Sequence, residues 1–236
     1  MNNSKKGEFY FGISDKKIHI CYFEFDKSEF KNSVNFDIPD SISSDLNFKI
    51  IFKLLKENIK KLEKKLGIFL NSGNISIQSS SYQSILISVK NIYDKKKLER
   101  KDIGNLIQTG YQHFNINNKN LSIIHIIINK YIIDDKVYKL FPNNIFFKKI
   151  VLEIEFICLD QNLINKVKNL FKECNINLDK IVAFEYCKKF LKKDQDTTMC
   201  MSARSILNGA NVSEVLIKEN SNKNPALFDK IFNFFD

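Results

Sequence analysis

Ser84-Ile-Leu-Ile-Ser-Val-Lys90, Leu98-Glu-Arg-Lys-Asp-Ile103, Ser122-Ile-Ile-His125, Lys130-Tyr-Ile-Ile-Asp134 and Ile150-Val-Leu-Glu-Ile-Glu-Phe-Ile-Cys-Leu159 fall within one stretch, Ser84 to Asp160, whose reading decides the fold. The first run has the β-branched content of a strand. Ile103, Leu106, Ile107, Tyr111 and Phe114 recur at helical spacing, so a helix follows. Ser122–Tyr138 reads as a strand hairpin that turns at Asp134-Asp135, and Ile150–Leu159 as another strand. Together they predict a compact α+β module.

On the N-terminal side, Phe9–Ile13 and Ile18–Phe23 are β-rich runs separated by Ser14-Asp-Lys-Lys17, which predicts a hairpin. A loop carrying Pro39 is expected next. Asp45 is suited to cap a long helix whose Leu46, Ile50, Ile51, Leu54, Leu55, Ile59, Leu62 and Leu66 keep helical spacing up to Gly67. Its lysine-rich remainder reads as a solvated face. Asn74–Gln78 predicts a short strand. After the module come a helix over Gln161–Asn175, a strand over Asp179–Phe184 and a short helix over Glu185–Lys192. This order describes an α/β layer interrupted by an inserted unit.

Residues 193–224 contain two polar runs around the weakly patterned Met201–Ile217, which is open to a helix followed by a strand or coil, and read together as a linker region. Pro225 then suits a helix start. Leu227, Phe228, Ile231, Phe232, Phe234 and Phe235 share one arc of roughly 160° at 100° per residue, which makes 225–236 a candidate membrane-binding helix. Docking onto the protein's own core is the competing role. One lysine against two aspartates makes any membrane contact mainly hydrophobic, and such contact needs multivalency.

With 236 residues, 44% of them hydrophobic and 21 phenylalanines, the chain supports a sizeable core. The net charge of +10 invites a nucleic-acid reading, but Arg100 and Arg204 are the only arginines and the lysines are spread along the chain. No nucleic-acid partner is therefore expected, since bidentate phosphate and guanine recognition leans on arginine. Cys21, Cys158, Cys174, Cys187 and Cys200 are scattered, and His19, His113 and His125 are dispersed, so neither a disulfide framework nor a metal site is expected. Nothing at Met1–Lys6 resembles a signal peptide, and no window approaches the roughly 18 apolar residues of a membrane span. A cytoplasmic chain is expected. There is no Gly-x-Ser-x-Gly elbow; Asp134-Asp135 suits a turn, and Glu153 and Glu155 suit the polar face of a strand. No catalytic residue, cofactor or metal is predicted.

The chain resembles the FtsA family, the actin-like proteins that tether the division polymer to the bacterial inner membrane. The resemblance rests on Leu98-Glu-Arg-Lys-Asp102-Ile103 as a helix start, Ile124-His125 as a strand end and Tyr131-Ile-Ile-Asp134 as a turn. The return to the layer is matched by Asn162–Cys174, Ile176–Val182 and Glu185-Tyr186, and the tail by the amphipathic helix. It implies an α/β fold, a partial actin-like (ribonuclease-H-like) lobe with an inserted interaction subdomain carrying Asp102, Ile103, His125, Tyr131 and Asp134. The implied boundaries are 8–82 and 161–192 for the lobe, 83–160 for the insert, 193–224 for the linker region and 225–236 for the terminal helix. The family's phosphate loops are not matched: Gly12-Ile-Ser-Asp-Lys-Lys17 lacks the hydroxyl pair, and Lys192–Thr198 has no glycine. Asp15 therefore suits a hairpin turn better than a phosphate-loop acid.

The expectation is a reduced, non-enzymatic member that recruits division proteins at the septum. It would contact the cytoplasmic face of the inner membrane and self-associate. The alternatives are a pilus-assembly adaptor of actin-like type and a basic nucleic-acid-binding domain.

Overall fold

A hairpin opens the chain, β1 (Gly7–Ile13) and β2 (Lys17–Glu24), and β3 (Phe30–Asp37), α1 (Phe48–Leu66) and β4 (Ser72–Ile77) follow. Next come β5 (Gln83–Lys97), α2 (Arg100–Asn117), β6 (Leu121–Ile133), β7 (Lys136–Tyr138) and β8 (Phe146–Asp160). The order ends with α3 (Gln161–Glu173), β9 (Asn177–Ala183), α4 (Phe184–Cys187) and α5 (Met199–Leu207). The computed structural model describes residues 7–25, 30–38, 48–190 and 199–215. Asp45, Pro39 and the whole of 225–236, with Leu227, Phe228, Ile231, Phe232, Phe234 and Phe235, lie outside the described residues.

The chain divides into two units, Met1–Tyr82 with Leu159–Asn211, and Gln83–Cys158 with Val212–Asp236. In the first, five strands take the order β3-β2-β1-β4-β9. β1, β2 and β3 form an antiparallel meander, and β4 and β9 run parallel to β1. This mixed α/β sheet is the layer expected of an actin-like, ribonuclease-H-like lobe.

Both faces of that sheet are covered, which is why β1 is buried along almost its whole length. On one face the Phe11 ring meets the edge of Phe171 from α3, with centroids 4.7 Å apart. α1 lies beside α3: the Lys166 ammonium is 5.8 Å from the centroid of the Phe48 ring. On the other face the register pairs Tyr10 with Cys21 and Gly12 with His19, and α5 packs over them. The Cys200 Sγ is 3.3 Å from the Tyr10 carbonyl oxygen, and the Arg204 guanidinium sits 4.6 Å over the Phe23 ring.

The second unit has a four-stranded sheet of order β5-β8-β6-β7. β5 and β8 pair antiparallel from Gln83 opposite Cys158 to Lys97 opposite Phe146, with an irregularity between Ile92 and Lys96. α2 supplies Ile103, Leu106, Ile107 and Phe114 to a core shared with Ile126, Ile128, Leu152, Ile154 and Phe156. Gly110 brings the helix close: a Cβ there would lie 2.9 Å from Ile154 Cδ1. Ser213–Val215 adds a short antiparallel segment to β6, with Ile128 N donating to Ser213 O at 2.9 Å and Val215 N to Ile126 O at 2.8 Å.

Several expectations need correction. β3 occupies the stretch expected to be loop. Phe30, Val34 and Phe36 are its apolar residues, opposite Phe23, Ile20 and Ile18, and an edge strand needs little more. β5 runs on to Lys97 through Asp94-Lys-Lys-Lys97; Tyr93 packs on Phe147 at 5.3 Å, and Lys96 finds Asp102. His125 lies within β6 rather than at its end. Within the region read as linker, Met199–Leu207 is helix, one of the forms open to Met201–Ile217, with Cys200, Ala203 and Ile206 fully buried.

Candidate functional site

The carboxyl ends of β1, β4 and β9 are where an α/β sheet places a ligand. Those of β1 and β4 are joined here by a hydrogen bond from Gln78 N to Ile13 O, 2.8 Å. The turn after β1 is closed by its own groups: Ser14 N donates to Lys17 O at 2.9 Å, and Ser14 Oγ accepts from Lys17 N at 3.0 Å. Those amides point inward, whereas a phosphate cradle needs them directed at the ligand. Gly12 serves packing instead, since a Cβ there would meet Met199 Cβ at 2.7 Å. Asp15 is exposed in this turn.

After β4, the Ser79 and Ser81 hydroxyls hydrogen-bond at 2.8 Å, and Ser81 Oγ accepts from Asp160 N at 3.3 Å. Ser79 N donates to Glu185 Oε1 at 3.2 Å. The other oxygen, Glu185 Oε2, is buried and has no partner among the described residues. Burial is the main cause that pushes this carboxyl above its ordinary value; the Ser79 N–H and the Lys188 charge pull it down. When ionised, it places negative charge beside the carboxyl ends of β4 and β9. Nothing in the sequence pattern around Glu185-Tyr186 indicates this contact, because its partner lies more than 100 residues earlier.

In the second unit the resemblance residues are structural. Asp102 is buried three residues into the cap of α2: its Oδ2 accepts from Glu99 N at 3.1 Å and its Oδ1 from Lys96 Nζ at 2.8 Å. Ile103 and Tyr131 belong to the core. Asp134 holds the β6–β7 turn at φ 44°, accepting from Lys149 N at 2.8 Å and Lys148 N at 3.1 Å, which lowers its pKa. The His125 Nδ1 and Glu214 Oε1 are 2.6 Å apart and nearly fully buried. That pair pins Ser213–Val215 to β6, and sequence reading missed Glu214 altogether. Glu153 pairs with Lys130 at 2.9 Å, and Glu155 accepts from Ser84 Oγ at 2.6 Å, so neither is set up as a buried acid and base.

β5 and β7 are the edges of this sheet, and β5 is the longer. It ends the sheet, and its outward Leu86 and Ile92 are 56% and 64% exposed. Among the described residues no group of three His, Cys, Asp or Glu is placed to hold a metal, and no helix is long and apolar enough to cross a membrane.

No protein-family model matches the chain, and no curated protein matches it. Among solved structures, the chain is similar to the PilM–PilN type IV pilus biogenesis complex, at 8% identity and a TM-score of 0.46, with 76% of this chain and 48% of that one covered. It is also similar to the cytoplasmic domain of EpsL, an inner-membrane component of the Vibrio cholerae type II secretion system: 9% identity, TM-score 0.37, covering 77% and 57%. A third is a Bacteroides thetaiotaomicron protein of actin-like ATPase fold: 16% identity, TM-score 0.29, covering 79% and 56%. The chain spans about half the length of the solved chains it matches. All three scores are below 0.5, so the fold statement rests on the strand order above. The first two belong to pilus biogenesis and secretion systems, and the third is of unknown function.

Proposed function

We propose that the protein is a non-enzymatic recruitment adaptor, an actin-like lobe that carries an interaction subdomain for an assembly at the inner membrane. The observation that carries this reading is the pairing of two features. The ligand end of the lobe is closed by Ser14, Ser79 and the half-satisfied Glu185, while the inserted sheet ends in a long edge strand with exposed Leu86 and Ile92. An extended partner segment adds to such an edge through main-chain hydrogen bonds and reads alternate side chains. Within this reading a pilus or secretion adaptor comes first, because the similar solved chains belong to such systems. A division adaptor of FtsA type is the second reading, favoured by the residues quoted from Leu98 to Asp134. The terminal segment 225–236 is proposed as a membrane tether in either case.

The test is affinity capture from cells with the full chain and with Leu86→Asp/Ile92→Asp. Capture of one discrete partner, lost in the variant, is expected, and the partner's machinery decides between pilus or secretion and division. Capture unaffected by the variant removes β5 as the recruiting edge. Saturable Mg-ATP binding by calorimetry overturns the non-enzymatic assignment.

A further inference from the structure

The net positive charge of the protein is concentrated on two neighbouring helices. α1 and α3 carry ten lysines against three glutamates. Five of the lysines, Lys49, Lys53, Lys56, Lys60 and Lys64, recur at i, i+4, i+7, i+11 and i+15, and all are exposed. At 100° per residue they occupy an arc of about 80°, and at 1.5 Å per residue a straight line of about 22 Å. Ile51, Leu55, Ile59 and Leu62 on the opposite side are buried, so the fold fixes the stripe outward. Among the described residues none of the five is paired with a carboxylate. Lys56 instead lies 5.5 Å from the Phe52 ring centroid. Two residues past the glycine that ends the helix, Phe69 is 87% exposed.

We infer that this lysine stripe with Phe69 is a docking surface for an anionic lipid bilayer. Charge complementarity selects an anionic partner. Its composition selects a bilayer over nucleic acid: the stripe consists of lysines, mobile point charges suited to a diffuse negative surface, with no arginine fork for bidentate phosphate recognition. Phe69 adds the apolar contact that interfacial binding uses alongside charge. This deepens the adaptor reading, on which its cellular setting rests, but the affinity is measured without any protein partner and so fails or stands separately.

The experiment sediments the full chain, and a chain lacking 225–236, with vesicles of 30% phosphatidylglycerol in phosphatidylcholine and with pure phosphatidylcholine. Each lysine near an anionic surface strengthens binding roughly fivefold. Lys53→Gln/Lys56→Gln/Lys60→Gln/Lys64→Gln is expected to weaken anionic-vesicle binding by about a hundredfold or more, with or without the tail. A control with the same net charge, Lys101→Gln/Lys119→Gln/Lys136→Gln/Lys139→Gln, changes exposed lysines off the stripe and keeps the binding. Phe69→Ser weakens it further at high salt, where the charge contribution is screened. Equal loss in the control, or undiminished binding by the stripe variant, overturns the inference. So does tighter binding to a 30-nucleotide single-stranded DNA than to the vesicles, which reassigns the stripe to nucleic acid.

Discussion

Glu185 has one carboxylate oxygen on the Ser79 N–H and the other buried without a partner among the described residues. Its folded pKa is raised, chiefly by burial, from an ordinary 4.5. An acid shifted this way binds its proton more tightly when folded, so stability falls as pH rises from 4.5 through the raised value. Above that window the penalty is complete, and below 4.5 it is absent. Glu185→Gln keeps an oxygen for Ser79 and removes the charge. It is expected to raise the thermal midpoint at pH 7 relative to the parent, with the difference vanishing as pH drops below 4.5, as read by paired melting curves. A midpoint unchanged at pH 7 argues that Oε2 is hydrated.

At the scale of elements, α5 reaches the sheet only because β1 has a glycine beneath it. Gly12→Ala puts a Cβ against Met199 and is expected to cost about 1–3 kcal/mol by overpacking, with faster amide exchange over Met199–Leu207. Gly12→Ala/Met199→Ala restores much of that loss if the contact is the cause, the non-additivity that touching residues show. In the second unit, Glu214→Ala removes the buried contact to His125 Nδ1 and is expected to cost about 1–3 kcal/mol, with exchange rising at the Ile128 and Val215 amides. How much was legible in the sequence follows from where such partners lie. The β1–β2 hairpin, α3 and the helix start at Asp102 carry their signals locally, in periodicity and a cap. β3, the lysine-rich half of β5 and α5 do not, because remote strands decide them: Ile18 and Ile20 for β3, Phe147 for Tyr93, and Gly12 for Met199. The candidate site was less legible still. Glu185 is set by Ser79, and His125 by a glutamate 89 residues later.

Across the whole molecule, the lysine-rich composition looked uniform along the chain, yet folding gathers much of it onto α1 and α3. Placement within the fold, not the total, gives that charge a direction. The inserted unit also bears on how the chain becomes native. It leaves the first sheet after Tyr82 and returns at Leu159, and its entry and exit residues, Gln83 and Cys158, face each other across paired strands. Pairing β4 with β9 therefore means closing a loop of roughly 100 residues, an entropic cost about 3 kcal/mol above that of a two-residue connection. Once β5 and β8 have zipped together, the insert's roughly 75 residues no longer count toward that span. A destabilised insert, made for example by Gly110→Val, is then expected to slow refolding of the first unit, which it does not touch through that residue. Stopped-flow folding followed by pulsed exchange at Ile75 and Val182 measures this. The inserted subdomain would thus act as the latch that sets the order of assembly, so that a chain able to complete its lobe already has the β5 edge in place.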